Sequence, residues 1–257
     1  VTNFMPTVND IYEYIDSIAP FADRLPDDNA GLLVGDPDRE VKTLCACLDV
    51  TRDTLDAAKK LCAELIVCHH PVIFRPQNRF LAGDLPFELA ATGISAICAH
   101  TSLDCATGGV NDVLADIFGL VNVEPVTTSG ESVPIVRGGT LARRMTPPEF
   151  AGFAAQKLGA SVRWCDGGKP VERIALAGGG GGFLAGEIAD MGFDALVTGD
   201  AKYHDFLTAA HKGLTLVAAG HFETESPAMP VLAEKLQARF PEVSVKVLSE
   251  TNVIQYL

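Results

Sequence analysis

The chain has 257 residues, 47% of them hydrophobic and 21% charged, with 33 Asp+Glu against 20 Lys+Arg and a formal net charge of −13. That length and apolar content suit one large or two smaller α/β domains with a full core, which excludes disorder as a description of the whole. The acidic balance excludes non-specific attraction to nucleic acid or anionic membranes and leaves room for cations.

Thr7-Val8-Asn9-Asp10 reads as a helix start, with Thr7 as N-cap and an acidic residue three positions on. Ile11, Ile15 and Ile18 then give one apolar stripe, which Pro20 ends. Leu44–Leu48 is an apolar run of strand length, followed by a helical stretch over 52–63. Leu65–Cys68 and Ile94–Ala99 are further buried-strand candidates, with helical runs over 85–92 and 109–118. Apolar strands alternating with amphipathic helices predict βαβ units and a sheet covered on both faces. A Pro- and Thr-containing stretch over 123–134 separates a second half. There, Ile135–Thr140, Ile174–Ala177, Ala195–Val197 and Leu214–Val217 read as strands, and Thr146-Pro147-Pro148 introduces a helix. A helix over 228–239 and a strand over 243–248 close the chain.

No run of about 18 apolar residues is present, so no membrane span is expected. Val1-Thr2-Asn3-Phe4 lacks the basic and apolar regions of a signal peptide. The seven cysteines contain no Cys-x-x-Cys pair and fall mostly in apolar runs. They are expected to be free thiols in a reducing, cytoplasmic setting, without a disulfide framework or zinc knuckle.

The chemistry concentrates in the histidines. Of six, His69, His70, His100 and His221 stand at or just beyond the ends of apolar strand runs. Ligands in α/β sheets bind beyond the carboxyl ends of strands. Neighbouring side chains on an extended backbone point apart, so His69 and His70 suggest two ions or a bent backbone. The plainer alternative is one strand-end hydrogen bond and one exposed ring. Asp104, after His100, adds a carboxylate, or else only caps a turn. If a helix starts at Gly220-His221, then His221 and Glu225 share a face at i, i+4; Ser226-Pro227 is the alternative helix start. His69, His70, Asp104, His221 and Glu225 together suit Zn, Mn, Fe, Co or Ni without singling one out. Five donors exceed the usual three protein ligands of one catalytic zinc, which favours a pair of divalent ions bridged by a carboxylate.

Five segments in this order carry a wider resemblance. They are Asp28-Asn29-Ala30-Gly31-Leu32-Leu33-Val34-Gly35, His69–Phe74, His100–Asp104 with Gly108-Gly109-Val110-Asn111, Thr198–His204 and Gly220–Glu225. With them the chain resembles the NIF-three-like (NGG-interacting factor three-like) family, whose members carry the name GTP cyclohydrolase 1 type 2 homolog. The resemblance implies two α/β domains with a dinuclear metal site in the cleft between them, and a homohexamer. On this chain the domains would be 1–125 plus 222–257, carrying most of the ligands, and 126–221. The resemblance assigns His70 and Asp104 to one ion and His69 and His221 to the other, with Glu225 bridging. His100 would lie beside them as a supporting group or weak extra ligand, and with Glu225 is a catalytic candidate. Phe222 stands where the family often has Tyr, and 257 residues leave no room for the middle domain of longer relatives. The family's cyclohydrolase label does not fix a substrate.

Two features compete with that reading. Gly180-x-Gly182-x-x-Ala185 satisfies a relaxed dinucleotide fingerprint, although a tight strand-to-helix turn explains the same glycines. Glycine amides there would alternatively receive a substrate phosphate. Lys202-Tyr203-His204 offers an acid–base group or anion contact, or simply a helix-start surface cluster. His211 reads as a helix C-terminal residue and Cys68 as buried. The expectation is a dinuclear metal-dependent hydrolase of a small polar or nucleotide-like molecule. The alternative from another class is a non-enzymatic metal carrier or regulatory protein.

Overall fold

The structure is a computed structural model that describes residues 5–130 and 132–255. The chain opens with α1 (Val8–Ile18), β1 (Gly31–Val34), β2 (Thr43–Cys47), α2 (Arg52–Lys60), β3 (Leu65–Cys68), α3 (Leu85–Thr92), β4 (Ser95–Cys98) and α4 (Thr101–Cys105). It continues through α5 (Val110–Phe118), β5 (Val121–Val126), β6 (Val136–Met145), α6 (Pro147–Leu158), β7 (Arg163–Cys165) and β8 (Val171–Ala177). Next come α7 (Ala185–Asp190), β9 (Ala195–Thr198), α8 (Tyr203–His211), β10 (Thr215–Ala218) and α9 (His221–Glu225). The last elements are α10 (Ala228–Arg239) and β11 (Ser244–Val247).

These elements form two compact units. The first comprises the described residues through Thr107 together with Ala228–Val253, and the second comprises the described residues of Gly108–Pro227 with Ile254 and Gln255. The first unit holds a five-stranded sheet in the order β1-β4-β3-β2-β11, parallel except for β1. Its strands are buried along their whole length in β3 and β4, which is why they read as continuous apolar runs. Alternate residues Cys45, Cys47, Ile66, Cys68, Ala96 and Cys98 share one core with Leu55 and Ala58 of α2 and Leu89 of α3. The expected cap of α1 is present: Thr7 Oγ1 accepts from the Asp10 amide, and the Asp10 carboxylate accepts from the Thr7 amide at 2.7 Å.

The second unit holds a six-stranded sheet in the order β5-β6-β8-β9-β10-β7, with β8, β9 and β10 parallel and the outer strands antiparallel. Ile174, Leu176, Val197 and Val217 face α5 and α6, while Ala175, Leu196 and Leu216 face α7 and α8. Both faces of the parallel strands are therefore covered, as the alternation of strands and helices predicts. Full burial of an aromatic such as Phe150 or an aliphatic such as Leu176 contributes about 1.5–3 kcal/mol.

The unit boundaries differ from the expected 125/126 and 221/222. The first falls at 107/108, because Leu114, Ala115 and Phe118 of α5 pack into the core of the six-stranded sheet. The second falls at 227/228, because Thr224 of α9 accepts from the Gly179 amide within the second unit. Glu225 therefore belongs to the second unit. Three strands escape the apolar-run criterion. β1 and β7 are edge strands that are only partly buried, and β5 is an edge strand exposed over Val121–Pro125.

None of the seven cysteines is in a disulfide. Burial pushes the Cys45 thiol up to about 11, and burial followed by the neighbouring Cys68 pushes Cys47 and Cys98 well above the ordinary thiol range. Among the described residues no helix is long and apolar enough to cross a membrane. In native protein, a thiol-specific dye should label exposed Cys62 first and half-buried Cys165 more slowly. The five buried thiols should react only after denaturation; rapid native labelling of Cys47 or Cys98 would contradict this packing.

Candidate metal centre

In the first unit, parallel register places Cys47, Cys68 and Cys98 side by side at the carboxyl ends of β2, β3 and β4. The residues that follow therefore leave the sheet along one edge. His69 and His70 follow β3 directly, and their amides donate to Leu48 O at 3.2 and 2.9 Å. His100 stands two residues beyond β4. The three rings lie with centroids 5.0–5.6 Å apart, and one nitrogen from each lies within 4.8 Å of the others. The α4 turn brings Asp104 alongside, with Oδ1 3.7 Å from His69 Nε2. That spacing exceeds hydrogen-bond length and suits two donors sharing an ion.

Each ring is held through Nδ1. His69 Nδ1 lies 2.9 Å from the Ala99 carbonyl, His70 Nδ1 2.8 Å from Asp49 Oδ1, and His100 Nδ1 2.6 Å from Asp28 Oδ1. An oxygen that only accepts requires the proton on Nδ1, so a neutral ring carries its ligating lone pair on Nε2. This is the outer arrangement by which proteins orient metal-binding histidines.

The supports are themselves supported. Asp28 also accepts from the Thr101 amide at 3.1 Å and from Thr101 Oγ1 at 2.6 Å. Burial raises its pKa, but the hydrogen bonds from His100 and Thr101 outweigh that and hold the carboxyl at about 2. Behind Asp49, the Glu250 carboxylate accepts from the Leu48 and Asp49 amides at 2.6 and 2.9 Å.

The second unit carries its own pair. α9 does begin at His221, and the i, i+4 spacing brings His221 Nε2 to 3.1 Å from Glu225 Oε2. His221 Nδ1 lies 2.7 Å from Asp200 Oδ2, beyond the end of β9, so this ring is oriented like the other three. The glycine run closes around the pair. Gly179 has φ +62°, and a Cβ there would stand 2.1 Å from Glu225 Oε1 and 3.1 Å from His221 Nε2. The amides of Gly178, Gly179, Gly181 and Gly182 are spent on Asn111, Thr224, Thr198 and the Asp200 carbonyl. The turn is thus built for backbone packing beneath a carboxylate, and those four amides are not directed at a phosphate. The helix after it, α7, is only six residues long.

The imidazole–carboxylate chemistry of both units fits borderline divalent metals. Sequence reasoning missed the supporting residues Asp28, Asp49, Asp200 and Glu250. Asp49 and Asp200 do share the strand-end placement that singled out the histidines. Lys202, Tyr203 and His204 lie at the start of α8 with exposed side chains, and His211 is its last residue. Cys68 is fully buried, which removes it as a nucleophile.

An α/β chain with anchored histidines at its strand ends is thus defined as a candidate metal protein. The sequence model of the Duf34/NIF3 (NGG1p interacting factor 3) family matches residues 6–253, and the chain belongs to that family. It is 31% identical over 243 residues to a Clostridium perfringens protein named GTP cyclohydrolase 1 type 2 homolog, covering 90% of this chain and 92% of that one. A Clostridium acetobutylicum protein of the same name is 28% identical, with 97% of each chain covered. Among solved structures, a Staphylococcus aureus hypothetical protein superposes with TM-score 0.90 at 26% identity, covering 99% of this chain and all of that one. Reduced HcgD from Methanocaldococcus jannaschii superposes with TM-score 0.83 at 26% identity, covering 96% and 99% of the two chains.

The depressed Asp28 carboxyl has a directional consequence. Its contribution, on the order of 2 kcal/mol, is fully present above the unfolded value near 3.8 and is lost as pH falls through about 2. Denaturant melts of the wild type and Asp28→Asn should therefore differ most above pH 4 and converge towards pH 2; a constant difference would remove this linkage.

Proposed function

We propose that this chain is a dinuclear metal-dependent hydrolase acting on a small polar, nucleotide-like molecule. His69, His70, Asp104, His221 and Glu225 would hold the ions: His70 and Asp104 would serve one, His69 and His221 the other, and Glu225 would be shared between them. The observation that carries this reading is the shared anchoring of four histidines, each with an oxygen at Nδ1. Bound there, the ions would supply Lewis acidity towards a substrate oxygen and lower the pKa of water.

The protein's own residues then have separable tasks. Asp49, Asp200 and the Ala99 carbonyl keep His70, His221 and His69 in one tautomer and orientation. Asp28 holds His100 with Nε2 available to accept or return a proton. The Gly179 cradle fixes the Glu225 carboxylate against His221, so that its orientation is set before substrate arrives. The name shared by the clostridial relatives supports a cyclohydrolase-like reaction on a nucleotide-like ring. We place the protein in the cytoplasm, as a homohexamer.

Elemental analysis of protein purified without chelator should find about two divalent ions per chain in the wild type and fewer in His69→Ala. A chain that holds no metal and takes up neither added Zn²⁺ nor Mn²⁺ would refute the centre. With metal bound, turnover across a panel of nucleotides and small esters should fall by at least about a hundredfold in Glu225→Gln. Metal retention without any turnover that this variant abolishes would instead favour the carrier reading. Light scattering should return six times the 27.2 kDa chain mass, and a monomer mass would end the hexamer.

A further inference from the structure

Beside His221, the second unit contains a cavity of about 270 Å³ at the carboxyl ends of its parallel strands. Arg163, Phe183, Asp200, Lys202, His204 and Asp205 all line it. The two carboxylates already have internal tasks: Asp200 holds His221 Nδ1, and Asp205 accepts from the Lys202 amide at 2.7 Å. Asp205 also stands 3.4 Å from His204 Nε2, so each carboxylate has a histidine beside it, whereas Arg163 and Lys202 are in no ion pair among the described residues and keep their charge for a ligand. Arg163 is braced by donating to the Ala201 carbonyl at 3.1 Å and by lying over the Phe206 ring at 5.7 Å. Phe183 is 65% exposed and its ring lies on the cavity wall. Gly180 has open space where a side chain would stand, which widens the approach.

Two cations outside any ion pair on the wall of one cavity stand out in a chain of net charge −13. With Asp200 and Asp205 each set against a histidine, these two cations offer an anion its local partners. Arg and Lys recognise phosphate by charge-assisted hydrogen bonds, and an exposed aromatic face accepts a planar ring. The volume is just under the usual range for whole ligands and is enough for a ring with one phosphate.

We infer that this cavity binds an aryl or heteroaryl monophosphate, with the phosphate on Arg163 and Lys202 and the ring against Phe183. As a substrate subsite it rests on the hydrolase reading above; as a binding site it is measurable without metal.

Isothermal calorimetry on the full chain, first stripped of metal and then with Zn²⁺ restored, tests the inference with inorganic phosphate and phenyl phosphate as probes. Phenyl phosphate should bind more tightly than phosphate, and both should weaken about tenfold in Arg163→Gln and in Lys202→Gln. Phe183→Ala should remove the preference for phenyl phosphate while leaving phosphate binding in place. All three side chains are exposed, and unchanged circular dichroism checks their folding. Equal affinity for the two probes, no heat with phenyl phosphate, or an affinity unmoved in the Arg163→Gln/Lys202→Gln double variant would each overturn the site. Metal content separates the two proposals. Phenyl phosphate binding by a chain that takes up no metal sinks only the metal centre, whereas normal metal content without phenyl phosphate binding sinks only the subsite.

Discussion

An imidazole is a useful ligand only if something else decides which nitrogen carries the proton and where the ring points. Here that decision is made at Nδ1 of His69, His70, His100 and His221 by one carbonyl and three carboxylates. The supporting oxygens come from other parts of each unit: Asp28 from the loop before β1, Asp49 from the end of β2, Ala99 from the end of β4 and Asp200 from the end of β9. Strand register is what makes this possible. Because Cys47, Cys68 and Cys98 are level, the residues beyond them meet without further guidance. The anchoring depends on the sheet, and the candidate chemistry depends on the anchoring.

The glycine run shows how one sequence pattern can serve a different physical need from the one it suggests. A dinucleotide loop presents its amides to a pyrophosphate. In this turn the amides of Gly178, Gly179, Gly181 and Gly182 point inward to protein acceptors, and the missing side chain at Gly179 leaves room for Glu225. Any residue larger than glycine at 179 would collide with that carboxylate, quite apart from its positive φ.

Much of this was legible in the chain itself. Buried parallel strands announce themselves as continuous apolar runs, so β2, β3, β4, β8, β9 and β10 follow directly from composition. The histidines stood out because polar residues at the ends of such runs have few structural reasons to be imidazoles. The helical start at His221 was one of two that the spacing left open, and a helix does begin there. Illegible were the edge strands β1, β5 and β7, whose residues are partly solvated and carry no strong pattern. The unit boundaries were misplaced because α5 is amphipathic, and amphipathicity says that a helix packs without saying against which sheet. The supporting aspartates were hidden for a related reason: a carboxylate in a loop looks like any solvated acid until its partner, 21 to 72 residues away, is known.

The return of the chain to its first unit bears on biosynthesis. β11 pairs with β2 across some two hundred residues, and Glu250 then fastens the backbone that carries Asp49 and, through it, His70. Residues 108–227 form a continuous stretch that emerges in one piece, whereas the five-stranded sheet has to wait for its outermost strand. Long-range pairing of this kind is slow to form and leaves a hydrophobic edge uncovered meanwhile. A ribosome-bound chain arrested before residue 244 would display β2 as an open edge and His70 on an unfastened loop. The orientation of that histidine is settled only once Glu250 has emerged.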